Sequence, residues 1–110
     1  MRPREVLLLD DAIADLRDIR QHIYEVSRSR TVADKYLKRL RYGLRHLDYT
    51  AEACPRYRRE DGGETPYRFT PLGHYIAFFI VEDDVVKVDR ILHSRRDFGR
   101  ALGGSGLGYN

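Results

Sequence analysis

Residues 67–93 read YRFTPLGHYIAFFIVEDDVVKVDRILH, and this stretch decides the fold class. Tyr67 to Thr70 has the alternation of a strand, Pro71-Leu72-Gly73 reads as a turn, and His74 to Val81 is a second strand dense in aromatic and β-branched residues. Glu82-Asp83-Asp84 supplies the next turn, and Val85 to His93 is a third strand. Strands that follow one another through short turns pair as an antiparallel meander. The connection before them, residues 55–66, is polar and rich in turn residues.

Further upstream the apolar period changes from two to about 3.6. Val6-Leu7-Leu8-Leu9 is a short strand, ended by Asp10-Asp11, either of which is expected to cap a following helix. In that helix Ile13, Leu16, Ile19, Ile23 and Val26 form one stripe, with Asp15, Arg17, Asp18, Gln21 and Glu25 opposite. Ser27-Arg28-Ser29-Arg30 breaks the pattern, and Thr31 with Asp34 is expected to open a second helix. There Ala33, Tyr36, Leu37, Leu40, Leu44 and Leu47 share a face, and Lys35, Lys38, Arg39, Arg41 and Arg45 lie around the rest; Pro55 bounds it, with fraying expected near residues 50–52. An acidic first helix beside a basic second one suggests that their charges attract.

The expected fold is α+β in the order β-α-α-β-β-β, with a helical hairpin packed on one face of a mainly antiparallel sheet. The first strand joins an edge of that sheet, and residues 94–102 are expected to form a short last helix. Residues 1–102 read as one domain and residues 103–110 as a flexible glycine-rich tail.

Composition narrows the function classes. With 110 residues, 42% hydrophobic and 34% charged, the chain fits one globular domain. Its longest apolar run, Tyr75 to Val81, is too short to span a membrane, and no secretory signal is expected, since only the four apolar residues Val6 to Leu9 precede Asp10 and Asp11. Cys54 is the single cysteine, so the cytosol is the expected compartment and neither an internal disulfide nor a multi-cysteine metal site is expected. His22, His46, His74 and His93 have no ligand spacing, and no metal or cofactor is expected. Net charge is +3, and seventeen of the twenty basic residues are arginine, whose forked donors suit carboxylate and phosphate.

One constellation carries possible chemistry: Arg90-Ile91-Leu92-His93-Ser94-Arg95-Arg96-Asp97 at the end of the last strand. Alternation places Ile91 and His93 on one side and Arg90 and Leu92 on the other. With Tyr67, Arg68 and Tyr75 nearby, these residues form a candidate polyanion-binding set. The alternative is that Arg95 and Arg96 pair with Asp97, Asp89 and Glu82 as ordinary surface charges. Arg56, Arg58 and Arg59 make a second, weaker patch.

Tyr67-Arg68-Phe69, Leu72 to Phe79, and Val88 to Asp97 together resemble the RelE/ParE toxin superfamily, most closely its ParE branch. Ala14-Asp15-Leu16-Arg17-Asp18-Ile19 and Ala33-Asp34-Lys35-Tyr36 are similar to the family's paired helices, and the likeness runs over roughly residues 5–102. The resemblance implies the toxin of a type II toxin–antitoxin system, of the kind used in plasmid maintenance, held as a hetero-oligomer by a cognate antitoxin. The antitoxin would wrap the hairpin and sheet, with Leu16, Ile19, Ile23, Leu40 and Leu44 as candidate groove residues, although core packing is the other role open to them. Target-binding candidates are Arg68, Tyr75, His93, Arg95 and Arg96.

Two targets follow from the resemblance. ParE-type members inhibit DNA gyrase without cutting anything; RelE-type members cleave messenger RNA on the ribosome. For cleavage His93 is the acid or base and Arg68 and Arg95 supply charge, but Phe98 stands where some RelE-type nucleases carry a catalytic tyrosine. That departure favours gyrase inhibition, so the chain is expected not to be an enzyme. A non-toxic, antitoxin-binding member is the third reading. An aromatic strand at a sheet edge would also offer a self-association site.

Overall fold

In the computed structural model, residues 2–95 and 98–103 are described. Strand β1 (Glu5–Leu8) leads into helix α1 (Asp10–Ser27), helix α2 (Arg30–Arg45), a short helix α3 (Leu47–Thr50) and a 3₁₀ turn at Ala51–Ala53. Strands β2 (Arg56–Arg58), β3 (Glu64–Leu72), β4 (Tyr75–Glu82) and β5 (Val85–His93) follow, then helix α4 (Phe98–Gly103). The strands form one sheet in the order β1-β5-β4-β3-β2. β1 runs parallel to β5 with Glu5 opposite Val85 and Leu8 opposite Val88, while the other pairings are antiparallel.

The α+β class, the helical hairpin and the meander are as the sequence indicates, with particular differences. β2 is an additional strand inside the connection read as polar loop. β3 is longer than expected: Pro71 and Leu72 belong to it, and the turn is Gly73-His74, with Gly73 at φ +65°. Pro71 is tolerated because Phe69 donates its N–H to Pro55 O at the end of β2, so two residues later no strand lies on that side to need an N–H. The aromatic strand β4 is central, not an edge, so the expected edge exposure does not arise.

Neither expected cap holds. Leu9 is the N-cap of α1 and its side chain caps nothing, while Asp10 and Asp11 sit in the first turn, where they favour the positive end of the helix dipole. α2 is capped by Ser29, whose Oγ accepts from Val32 N at 3.2 Å. Asp34 instead pairs with Arg20 of α1 at 2.9 Å. That bridge has the opposite sense to the attraction expected between an acidic α1 and a basic α2.

The hairpin packs on one sheet face. Ala12, Leu16 and Ile19 of α1 and Leu37, Leu40 and Leu44 of α2 meet Tyr75, Ala77, Phe79, Val86, Val88 and Ile91. Each fully buried aliphatic or aromatic chain contributes roughly 1.5–3 kcal/mol, so this layer is the main stabilising element. Ile13 and Val26, assigned to the stripe from spacing, lie exposed, and Ala12 takes the buried position. The opposite face carries a second cluster, Tyr67, Phe78, Leu92 and Leu102, with Tyr57, Phe69 and Phe98 packed against it. Gly103, assigned to the tail, ends α4; the rest of the tail, 104–110, lies outside the described residues, as do Arg96 and Asp97. No helix among the described residues is long and apolar enough to cross a membrane.

Candidate functional site

The end of β5 is shaped by a bulge. The β4–β5 register shifts between Phe78, opposite Arg90, and Phe79, opposite Val88. The extra residue changes the phase of the strand. Val86, Val88 and Ile91 therefore belong to the hairpin-side core, and Leu92 to the opposite cluster. Arg90, placed beside Leu92 by simple alternation, turns to α1, where its Nε and Nη2 donate to Asp15 at 2.8 and 3.1 Å. The Ile91 N–H also donates to Asp15, at 2.8 Å. Asp15 holds the Arg90 guanidinium above its ordinary pKa, against the opposing effect of burial.

Beyond the bulge, Tyr75 and His93 are cross-strand partners. Their rings meet edge to face, with centroids 5.4 Å apart. Tyr75 is buried and also meets Tyr36 of α2 at 6.1 Å. His93 is exposed, and its Nδ1 accepts the backbone N–H of Arg95 at 3.2 Å. A neutral ring holding that bond carries its proton on Nε2 and so presents a donor to solvent-side ligands. Arg95 is exposed. Two of the carboxylates suggested as its partners are engaged elsewhere: Asp89 accepts from the Tyr67 hydroxyl and Glu82 pairs with Lys87 at 2.9 Å; the third, Asp97, lies outside the described residues.

A shallow cleft of about 180 Å³ adjoins this end, lined by Asp15, Asp18 and His22 of α1 and by Tyr75, Ile91 and His93 of the sheet. In the sequence His22 has no ligand spacing and no assigned role. The signal that places it here is its spacing from Asp15, Asp18 and Ile19, at helical steps along the flank that Arg90 fastens to β5. Among the described residues no group of three or more His, Cys, Asp or Glu could hold a metal ion.

Arg68 and Tyr67 lie elsewhere. Arg68 is opposite Phe79, four residues along β3 from the Leu72–Tyr75–His93 row. Its Nη1 donates to Cys54 O at 2.7 Å and Glu52 O at 3.2 Å, closing the chain end that leaves the 3₁₀ turn. Tyr67 is fully buried on the far face. Phe98 packs at 5.0 Å from Phe78 and 6.4 Å from Tyr57. Leu16, Ile19, Leu40 and Leu44 are buried in the hairpin core and Ile23 is partly buried against it; the exposed large apolar chains are Leu7, Ile13, Val26 and Val32, with Tyr42 and Tyr49. In the weaker patch Arg58 pairs with Glu64 at 3.9 Å and Arg59 with Asp61 at 2.9 Å.

Comparison with known proteins now has a geometry to refer to. The chromosomal ParDE toxin–antitoxin system from P. aeruginosa contains a chain of similar fold, with a TM-score of 0.69 and 22% identity over 82% of this chain and 95% of that one. The RelBE2 toxin–antitoxin complex from Mycobacterium tuberculosis contains another, with a TM-score of 0.54 and 17% identity over 83% of this chain and 98% of that one. No curated protein matches the sequence. The family described as the ParE toxin of the type II toxin–antitoxin system, parDE, matches residues 6–98, from β1 through the bulged strand to the start of α4. The chain belongs to the ParE toxin family of type II toxin–antitoxin systems.

Proposed function

We propose that this toxin inhibits DNA gyrase in the cytoplasm by binding it, and that a cognate antitoxin neutralises it. The observation that carries the reading is the hydrogen bond from the Arg95 N–H to His93 Nδ1. It uses the ring's lone pair within the protein and leaves a donor facing outward, beside the exposed Arg95. Donors and a cation suit a carboxylate or carbonyl surface on a protein target. RNA cleavage by the 2′-hydroxyl needs a base as well as charge; of the groups assigned to it, Arg68 is held by two carbonyls, the His93 Nδ1 lone pair by the Arg95 N–H, and Phe98 sits in an aromatic cluster with no hydroxyl to offer, which leaves Arg95 as the exposed charge among them. The similar folds in the ParDE and RelBE2 assemblies support an antitoxin partner for this chain as well.

The deciding experiment is a supercoiling assay with purified toxin and gyrase, run beside a ribosome-programmed RNA cleavage assay. Loss of supercoiling with intact message is the expected result. Codon-register cleavage with normal supercoiling would overturn the reading and make His93 a proton-transfer group.

A further inference from the structure

Beyond Asp34, the solvent face of α2 carries charge of one sign. From Lys35 to Arg45 the sequence has five cations and no acid. Lys35, Lys38, Arg39, Arg41 and Arg45 are all exposed, and among the described residues none of them forms an ion pair. An ordinary solvated helix mixes signs, because like charges three and four residues apart weaken it. Here Lys35–Lys38, Lys38–Arg41 and Arg41–Arg45 repeat that repulsion along one side. The contrast with residues 56–59 is direct, since Arg58 and Arg59 there have acidic partners.

We propose that this face of α2 is a docking surface for the phosphate backbone of duplex DNA. Charge complementarity is the first argument: the five cations span about 15 Å of helix, against a duplex that carries one negative charge per roughly 1.7 Å. Shape is the second. The face is one side of a helix about 10–12 Å across, a width that matches a major groove about 12 Å wide, and its cations Lys38, Arg39, Arg41 and Arg45 line a shallow open depression of about 750 Å³.

The one exposed aromatic ring among these cations decides against other occupants. Tyr42 is 60% exposed, but the Arg45 guanidinium lies 6.0 Å from its centroid and the His46 ring 4.5 Å away. Single strands are held by rings open to base stacking, and a ring flanked in this way is a poor platform. An acidic protein segment would dock through apolar anchors, and the stretch from Lys35 to Arg45 exposes none besides Tyr42. The surface is separate from the end of β5, so it stands or falls independently of gyrase inhibition.

The test is fluorescence anisotropy of the full chain with a labelled 20-base-pair duplex, repeated from 50 to 200 mM salt. Five phosphate contacts give a slope of log affinity against log salt of about −4.5, a loss of roughly 500-fold over that range. Lys38→Gln/Arg41→Gln/Arg45→Gln leaves two cations and is expected to reduce the slope to about −1.8, roughly 12-fold. Each single substitution is expected to reduce it by about 0.9, which keeps the test readable if the triple variant folds poorly. Arg2→Gln/Arg17→Gln/Arg56→Gln makes the same change in net charge elsewhere and should retain the parent slope. A triple α2 variant that binds like the parent, an equal loss in the control, tighter binding of a single-stranded RNA of the same length, or displacement of the duplex by a polyglutamate peptide would each overturn the proposal.

Discussion

Arg90 and Asp15 lie 75 residues apart in sequence and meet through two hydrogen bonds, with side-chain exposures of 16% and 12%. The pair clamps α1 to the bulged strand at the edge of the candidate site. Breaking such a pair from one side leaves an uncompensated charge, which costs more than the pair itself contributes. Asp15→Ala is therefore expected to destabilise the protein by about 3 kcal/mol. Arg90→Met should cost less, because Asp15 keeps the Ile91 N–H. Denaturant unfolding of the two variants checks the order; an Asp15→Ala change within about 0.5 kcal/mol of the parent would mean the bridge behaves as an exposed one.

Tyr67 gives a second prediction. Its ring is fully buried beside Phe78 with centroids 6.3 Å apart, and its hydroxyl donates to Asp89. Tyr67→Phe keeps the packing and removes the donor to a partly buried carboxylate, which should cost about 1–2 kcal/mol. Equilibrium unfolding measures it. A neutral result would show that water replaces the hydroxyl at Asp89.

Alkaline pH should destabilise the fold. Burial pushes the Tyr75 hydroxyl above its ordinary 10.0, with Tyr36 adding to the rise. Burial likewise pushes the Cys54 thiol above 9.0, against a hydrogen bond with Thr70 and the charge of Arg68. A raised folded-state value means the native chain holds the proton more tightly. The contribution is fully present below the unfolded value and is lost as pH rises through the folded one. Urea midpoints should hold up to about pH 9 and fall beyond it. Tyr75→Phe should make the decline above pH 10 shallower; an unchanged slope would place the titration elsewhere.

How much of this was legible in sequence depends on whether a period carries it. The stripes of α1 and α2 and the meander 67–93 follow from spacing, because each repeats a single geometric rule. The bulge at Arg90 has no such signature: it breaks the period of two at one residue, so Arg90 was assigned to the wrong face. The partners of Arg68 are hidden for a different reason. A lone arginine on a strand looks functional until its acceptors are known, and Cys54 and Glu52 become its acceptors only when the chain leaves the 3₁₀ turn beside β3. His22 and His93 share a cleft only because the Asp15–Arg90 clamp sets the phase of α1 against β5. The Tyr75–His93 pairing needs the bulge as well: the register of the Glu82–Val85 turn alone sets Tyr75 opposite Leu92, and the extra residue moves it to His93.

Arg68 and Arg95 should separate when both are replaced by alanine. Arg68→Ala removes two hydrogen bonds to backbone carbonyls and is expected to cost about 1–3 kcal/mol, since donors from a charged group are worth more than neutral ones. Any loss of toxicity should then track the folded fraction, and gyrase affinity per folded molecule should be unchanged. In Arg95→Ala the backbone N–H still reaches His93 Nδ1, so stability should stay within about 0.5 kcal/mol of the parent while toxicity and gyrase affinity fall. Thermal melts paired with growth assays at matched protein level would read both quantities. A stable Arg68→Ala variant that loses target binding would return that residue to the functional surface. Full toxicity of Arg95→Ala would count against the end of β5, since Arg95 and His93 are the exposed donors there among the described residues.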